Sequence, residues 1–120
     1  MKTIIAVGIG GFCGAIARYG MSLLIPNTGN FPIATLTINL IGCLCLAWLF
    51  TTFAHRTPLV LGIGTGFLGA FTTFSTFSVE TLLLLENNDW MTAISYSLIS
   101  VLGGLLCVVT GAWLARGRMK

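Results

Sequence analysis

Apolar residues fill four long stretches of the chain, and short polar clusters separate them. The stretches extend from about residue 3 to 25, 33 to 53, 59 to 85 and 90 to 114. A membrane-spanning helix needs about 20 consecutive apolar residues, and each stretch is that long. The pattern predicts a single all-α membrane domain, residues 1–120, with four transmembrane helices.

Composition and charge agree with this class. Of the 120 residues 56% are hydrophobic and 8% are charged, whereas soluble proteins average about 25% charged residues. The net charge of +3 does not indicate nucleic-acid binding, because the sparse basic residues lie mostly at span ends. With four spans, one side carries Lys2, Arg56, Arg116, Arg118 and Lys120, and the opposite loops carry no Lys or Arg. This bias predicts a cytoplasmic (inner) membrane protein with cytoplasmic termini.

Glycines and cysteines in the apolar stretches are interpreted as packing residues. Gly10 and Gly14 form a small-xxx-small pair suited to close helix contact. The four cysteines lie within apolar runs without a paired CxxC spacing, and buried free cysteine behaves as a small hydrophobe. Lys2 and the following apolar run resemble a signal peptide, but hydrophobicity resumes after Arg18, so we expect this segment to remain as a span.

The third stretch contains an unusual segment, residues 69–78, with the sequence GAFTTFSTFS. It carries five hydroxyl side chains, three phenylalanines and one glycine, and Glu80 follows closely. Such a segment is tolerated at membrane depth only where it faces protein or water. We therefore predict that the third helix is broken at mid-membrane and that the function of the chain depends on this break.

The residue types around the break suit an anion pathway. A phenyl ring is positive at its edge, so Phe74 and Phe77, three residues apart on one helical face, can present ring edges to an anion. Ser75, Thr76 and Asn39 can donate hydrogen bonds that replace part of a hydration shell. Backbone carbonyls freed at the break can be satisfied by a bound cation. The alternative is a phenylalanine-rich packing core.

Three further polar residues each have two interpretations. Arg18 either extends toward the membrane interface or lies in an electropositive vestibule that attracts an anion. Asn39 either makes an interhelical hydrogen bond or belongs to a donor-lined pathway together with Thr35. Glu80 is either a proton relay or, as we favour, a group in a water-filled vestibule.

Other chemistry is disfavoured. Residues 64–69 match GxGxxG, but a nucleotide site needs a βαβ unit, which a four-span chain lacks. His55 is the only histidine and no base is paired with a serine or threonine, so an enzyme is not expected. Two alternatives to a channel remain. One is a small multidrug-type proton-coupled transporter, although the first span has no acidic residue, and the other is a non-conducting membrane assembly subunit.

Three motifs resemble those of the small fluoride channels called Fluc or CrcB. The first span carries Gly-x-x-Gly-Ala-x-x-Arg-Tyr at residues 11–19, and the second Thr-Leu-x-x-Asn-x-x-Gly at residues 35–42. The most specific motif is Gly-x-x-Gly-x-x-Thr-Thr-Phe-Ser-Thr-Phe-Ser-x-Glu at residues 66–80. The resemblance covers all four spans.

The resemblance implies a passive, fluoride-selective channel that exports toxic fluoride from the cytoplasm. It also implies an antiparallel two-fold homodimer in the lipid membrane, with two pores along the interface. By motif, the fluoride pathway would contain Asn39, Phe74, Ser75, Thr76, Phe77, Tyr96 and Ser100. Arg18 and Glu80 would belong to the vestibule, and the main-chain carbonyls of Gly69 and Thr72 would bind a structural Na⁺ at the dimer centre.

Two features depart from the family pattern. Family members often carry another hydroxyl one turn after Ser100, where this chain has Gly104. The basic residues, five on one side and none in the opposite loops, also argue against equal insertion in both orientations. An oppositely oriented homologue is therefore an alternative to the homodimer.

Overall fold

A computed structural model describes residues 1–26 and 29–117. Four helical units are long and apolar enough to cross a membrane: Lys2–Leu24, Ile33–Thr52, Pro58–Glu86 and Trp90–Gly117. The predicted all-helical class with four candidate spans is therefore confirmed. Part of the predicted first loop (Asn27, Thr28) and two of the basic residues (Arg118, Lys120) lie outside the described residues.

The third unit consists of several segments. We label the helices in chain order as α1 (Lys2–Leu24), α2 (Ile33–Thr52), α3 (Pro58–Leu61), α4 (Gly69–Phe71), α5 (Phe74–Glu86) and α6 (Trp90–Gly117), with a π-helical stretch at Gly62–Leu68 between α3 and α4. A π-helical turn is often found near functional sites. The glycine-rich sequence of this stretch suits such a departure from α-helical geometry, because glycine weakens a regular helix.

Side-chain caps define where two of the helices begin. Pro58 is in the first turn of α3, and the Thr57 hydroxyl accepts the Val60 N–H at 3.3 Å. At the start of α6 a carboxylate oxygen of Asp89 accepts the Thr92 N–H at 3.3 Å. Each cap satisfies a donor that the first helical turn leaves without a partner.

Close backbone contact joins α1 to the π-helical stretch. An ideal Cβ at Gly10 would overlap the carbonyl oxygen of Gly62, and one at Gly14 would overlap that of Phe67. Glycine is therefore required for these helices to approach as closely as they do. This contact fits the expected packing role of the Gly10/Gly14 pair.

The other main helix contact is between α2 and α6. An ideal Cβ at Gly111 would overlap the carbonyl oxygen of Leu44, so this interface also depends on a glycine. Ile38 on α2 and Tyr96 on α6 are the largest fully buried side chains. Much of the remaining apolar surface is exposed, including most of α1, as expected for helices that face lipid or a second subunit.

Candidate functional site

Two threonines interrupt the helical backbone between α4 and α5. Thr72 has φ −74° and ψ 158°, and Thr73 has φ −146° and ψ 122°, so both residues are extended. The Thr73 hydroxyl accepts the Thr76 N–H at 3.1 Å and donates to the Thr76 hydroxyl at 2.9 Å. Thr73 therefore caps α5 and determines where the second helical segment begins.

Asn39 on α2 holds the interruption in place. Its Nδ2 donates to the carbonyl oxygen of Thr73 at 3.0 Å, and its Oδ1 accepts the Thr73 N–H at 2.8 Å. The amide side chain thus gives the Thr73 N–H an acceptor in place of Gly69, and gives the Thr73 carbonyl, which already accepts the first bond of α5, a second donor. The sequence left open whether Asn39 makes an interhelical hydrogen bond or lines a pathway. In the structure Asn39 makes hydrogen bonds to another segment, and it also lines the cavity described next.

A cavity of about 320 Å³ opens beside the interruption, and we call it the phenylalanine cavity. It brings together four residues of the predicted fluoride pathway: Asn39, Phe74, Phe77 and Ser100. It is also lined by Gly42, Cys43, Leu46, Thr72, Thr73 and Val101. Its lining thus combines phenyl rings with amide, hydroxyl and thiol groups.

The two phenylalanines occupy different environments. Their ring centroids are 6.0 Å apart, with an angle of 38° between the ring planes. Phe74 is 80% exposed, whereas Phe77 is half-buried, with its centroid 5.2 Å from that of Tyr96. The Phe77 ring is therefore positioned by its own subunit, and the Phe74 ring projects from it.

Ser100 contributes an unsatisfied donor to the same cavity. Its Oγ is buried and has no hydrogen-bond partner among residues 1–26 and 29–117. Buried hydroxyl groups in folded proteins are normally paired, so an exception needs an explanation. A ligand in the phenylalanine cavity would provide the missing partner once the Ser100 hydroxyl, which is shielded from solvent in the structure, turned toward it.

Glu80 and Tyr96 form a separate polar cluster. The Thr35 hydroxyl donates to Glu80 Oε1 and the Tyr96 hydroxyl donates to Glu80 Oε2, each at 2.8 Å. Tyr96 is 0% exposed and lies behind Phe77. Glu80 also lines a second cavity of about 410 Å³ near Asn30 and Phe31. Tyr96 therefore does not line the phenylalanine cavity, and its hydroxyl donates a hydrogen bond to Glu80.

The remaining predicted residues lie away from the cavity lining. Ser75 and Thr76 are exposed on α5, and Thr73 Oγ1 is 3.3 Å from Ser75 Oγ. Arg18 is half-buried on α1 and does not line the phenylalanine cavity.

The carbonyl groups of Gly69 and Thr72 lack the amide donors that a continuous helix would supply. The donor for Gly69 would be Thr73 N–H, which bonds Asn39 instead, and the donor for Thr72 would be Thr76 N–H, which bonds the Thr73 hydroxyl. The Thr72 hydroxyl lies 3.4 Å from the Gly69 oxygen. Carbonyl oxygens freed in this way suit a hard cation such as Na⁺.

Sequence reasoning missed three contributors. Thr73 was treated as one hydroxyl among five, although a threonine followed by a helical segment is a typical N-cap. The bond from Thr35 to Glu80 joins residues 45 positions apart, and sequence spacing carries no signal for it. Cys43 was interpreted only as a packing residue, yet it lines the phenylalanine cavity.

Comparison with known proteins gives consistent matches. Residues 5–112 match the family described as "CrcB-like protein, Camphor Resistance (CrcB)". The chain is 52% identical over 108 residues to "Fluoride-specific ion channel FluC 1" of Bacillus cereus (strain ATCC 10987 / NRS 248), covering 85% of this chain and 79% of that protein. It is 50% identical over 113 residues to "Fluoride-specific ion channel FluC 2" of Listeria monocytogenes serovar 1/2a, covering 91% and 87%. It is 48% identical over 116 residues to the FluC 1 protein of Moorella thermoacetica, covering 92% and 83%.

Proposed function

The chain belongs to the CrcB family, and we propose that it is a fluoride-selective ion channel subunit that lets fluoride leave the cytoplasm down its gradient. It is a multi-pass membrane protein and not an enzyme, since its relatives are named as fluoride-specific ion channels. Those names favour a channel over a proton-coupled drug transporter or a non-conducting subunit. Passive export would lower the cytoplasmic concentration of a toxic anion.

The phenylalanine cavity is the observation that carries this function. It combines phenyl rings, whose positive edges attract an anion, with the unpaired hydroxyl of Ser100. Because these groups are few and close together, they suit a small anion that sheds most of its water. We propose that Phe74, Phe77, Asn39 and Ser100 line the path.

The other predicted residues have supporting roles in this proposal. Ser75 and Thr76 would supply hydroxyls at the α5 start, and Tyr96 would act with Glu80 at the vestibule end. Arg18 would raise the local anion concentration from α1, because a positive group near a pore mouth attracts anions.

We propose that the functional unit is an antiparallel homodimer embedded in lipid, in which each chain is one membrane domain. The support is the 80% exposure of Phe74 beside an open cavity, which a second copy would cover. An oppositely oriented homologue would serve the same purpose. Crosslinking that captured only parallel dimers would contradict both versions.

We further propose that the interruption at Thr72–Thr73 lies at mid-membrane and binds Na⁺ between the two copies. The freed carbonyls of Gly69 and Thr72 fit such an ion, since sodium prefers oxygen ligands. One chain offers two of these carbonyls, so a second copy would be needed to complete the shell. The ion would hold the two interruptions together and would not itself be transported.

Fluoride efflux from proteoliposomes tests the function. We expect the purified protein to dissipate a fluoride gradient but not a chloride gradient, and to do so without moving protons. Absence of fluoride flux from folded, dimeric protein would reject the channel. Flux that depended on a proton gradient would favour the transporter instead.

A further inference from the structure

Cys43 lines two separate cavities. One is the phenylalanine cavity, and the other is a cavity of about 430 Å³ that extends to Arg56, which we call the arginine cavity. Cys43 and Leu46 line both of them, and of these two only Cys43 has a hydrogen-bond donor. The side chain with a hydrogen-bond donor that the two linings share is therefore the Cys43 thiol.

At residue 104 the helix opposite presents no side chain to this thiol. Gly104 on α6 faces Cys43, and an ideal Cβ at residue 104 would be 3.8 Å from the Cys43 sulfur. Because glycine has no side chain, nothing from position 104 fills the space next to the thiol. Cys43 is half-buried, and it lines the arginine cavity together with Val108 and Ala112 of α6.

Both ends of the groove between α2 and α6 favour an anion. On the phenylalanine side, the buried Ser100 hydroxyl, one turn before Gly104, has no partner in the described part of the chain. On the other side, the Arg56 guanidinium carbon lies 3.8 Å from the centroid of the Phe50 ring, so a positive charge is held at the end of the arginine cavity.

We propose that the anion path continues from the phenylalanine cavity along the α2/α6 groove to Arg56, and that the Cys43 thiol is its hydrogen-bond donor between Ser100 and Arg56. The inference deepens the proposed function and rests on it. It replaces the packing role that the sequence suggested for Cys43. The weak S–H donor would contact the anion where no hydroxyl is available at residue 104.

Cys45 supplies a matched control. It is on the same helix, two residues further on, so it points to the opposite side of α2 at nearly the same depth. Both cysteines are half-buried and neither is in a disulfide. Two proteins are compared, each with its own unlabelled form: one retains only Cys43, and the other retains only Cys45 and carries serine at position 43, so that a donor remains there; the remaining cysteines are alanine.

Each protein is treated with methyl methanethiosulfonate, and its labelling is measured by mass spectrometry before fluoride efflux is recorded. We expect labelling of Cys43 to lower efflux by about tenfold and labelling of Cys45 to change it by less than about twofold, since only the first group would narrow the path. If Cys43 were not labelled, or if its labelling left efflux unchanged, the inference would be overturned.

Substitutions test the donor without a reagent. Cys43→Val removes it and is expected to lower fluoride efflux about fivefold, whereas Cys43→Ser lowers it less because a hydroxyl also donates. Cys45→Val is the control that should leave efflux unchanged. Adding Gly104→Ser to Cys43→Val should restore part of the lost efflux, because a side chain at 104 reaches the same point.

These outcomes separate the inference from the proposed function. Normal efflux in Cys43→Val, from a wild-type protein that conducts fluoride, would refute the path through Cys43 and leave the channel intact. A folded wild-type protein without fluoride efflux would instead reject the channel, and the inference with it.

Discussion

The Asn39 side chain and the Thr73 backbone exchange two hydrogen bonds, one in each direction, at 3.0 and 2.8 Å. Asn39 is in the middle of α2, and Thr73 is in the extended segment between α4 and α5. An unpaired buried N–H or C=O group is costly, so this exchange makes the interrupted backbone stable inside the protein.

Replacing Asn39 by leucine should therefore affect folding as well as conduction. Asn39→Leu leaves the Thr73 N–H without its partner and removes one of the donors to the Thr73 carbonyl, so we expect the free energy of unfolding to fall by about 1–3 kcal/mol. Asn39→Asp, when ionised, keeps the acceptor but places a carboxylate oxygen against the Thr73 carbonyl oxygen, so we expect it to be no more stable than Asn39→Leu. Equilibrium unfolding in mixed micelles measures this, alongside fluoride efflux. Lost efflux with unchanged stability would mean that Asn39 serves only the pathway.

The two phenylalanines should respond differently to isoleucine. Both substitutions remove a ring edge and should lower fluoride efflux by at least about tenfold. Phe77→Ile should also lower the stability of the subunit by about 1 kcal/mol, because the contact of the Phe77 ring with Tyr96 is lost. Phe74→Ile should not, since Phe74 is 80% exposed. Full efflux in both variants would refute the ring-edge argument.

Glycine 14 is expected to be intolerant of any side chain. Gly14→Ala would force a methyl group into the Phe67 carbonyl oxygen and should lower stability by about 1–3 kcal/mol. Gly8 is the matched control on the same helix, because an ideal Cβ there has nothing within 4 Å. Gly8→Ala should be neutral or slightly stabilising. Equal melting temperatures for the two variants would contradict the close contact between α1 and the π-helical stretch.

The lowered pKa of Asp89 should make the free energy of unfolding depend on pH. Hydrogen bonding to the Thr92 side chain, with help from Asn30, holds the pKa of this carboxyl below its ordinary value of 3.8, although partial burial opposes the shift. The ionised carboxylate thus stabilises the folded state above that value, and the contribution is lost as pH falls through the lower folded pKa. The stability difference between wild type and Asp89→Asn should shrink as the pH is lowered from about 5 to about 3. A difference that stayed constant over this range would contradict the shift.

Removal of sodium should weaken the proposed dimer. If the carbonyls of Gly69 and Thr72 bind Na⁺ only in the assembled state, each tenfold increase in sodium above the dissociation constant adds about 1.4 kcal/mol to dimer stability. Exchange into N-methylglucamine should lower the melting temperature and favour monomers on size-exclusion chromatography. If the melting temperature and the fraction of dimer were the same in sodium and in N-methylglucamine, Gly69 and Thr72 would have packing roles alone.

The sequence by itself determined the number of candidate membrane spans and their helical class. Four apolar stretches of sufficient length permit little else in a membrane, because every backbone group must be paired within its own segment. It also identified Phe74, Phe77 and Asn39 as candidates, since phenyl rings and lone polar side chains are conspicuous in such stretches, whereas Ser100 entered through the resemblance to the family.

The tertiary structure decided how those groups are connected. It placed the Asn39 side chain against the Thr73 backbone, the Tyr96 hydroxyl against the Glu80 carboxylate, and Cys43 next to Gly104. These relationships link residues that are from 16 to more than 60 positions apart, because they arise where α2, α5 and α6 pack together. A periodic pattern along one helix specifies which face is polar, and only packing specifies which partner that face meets.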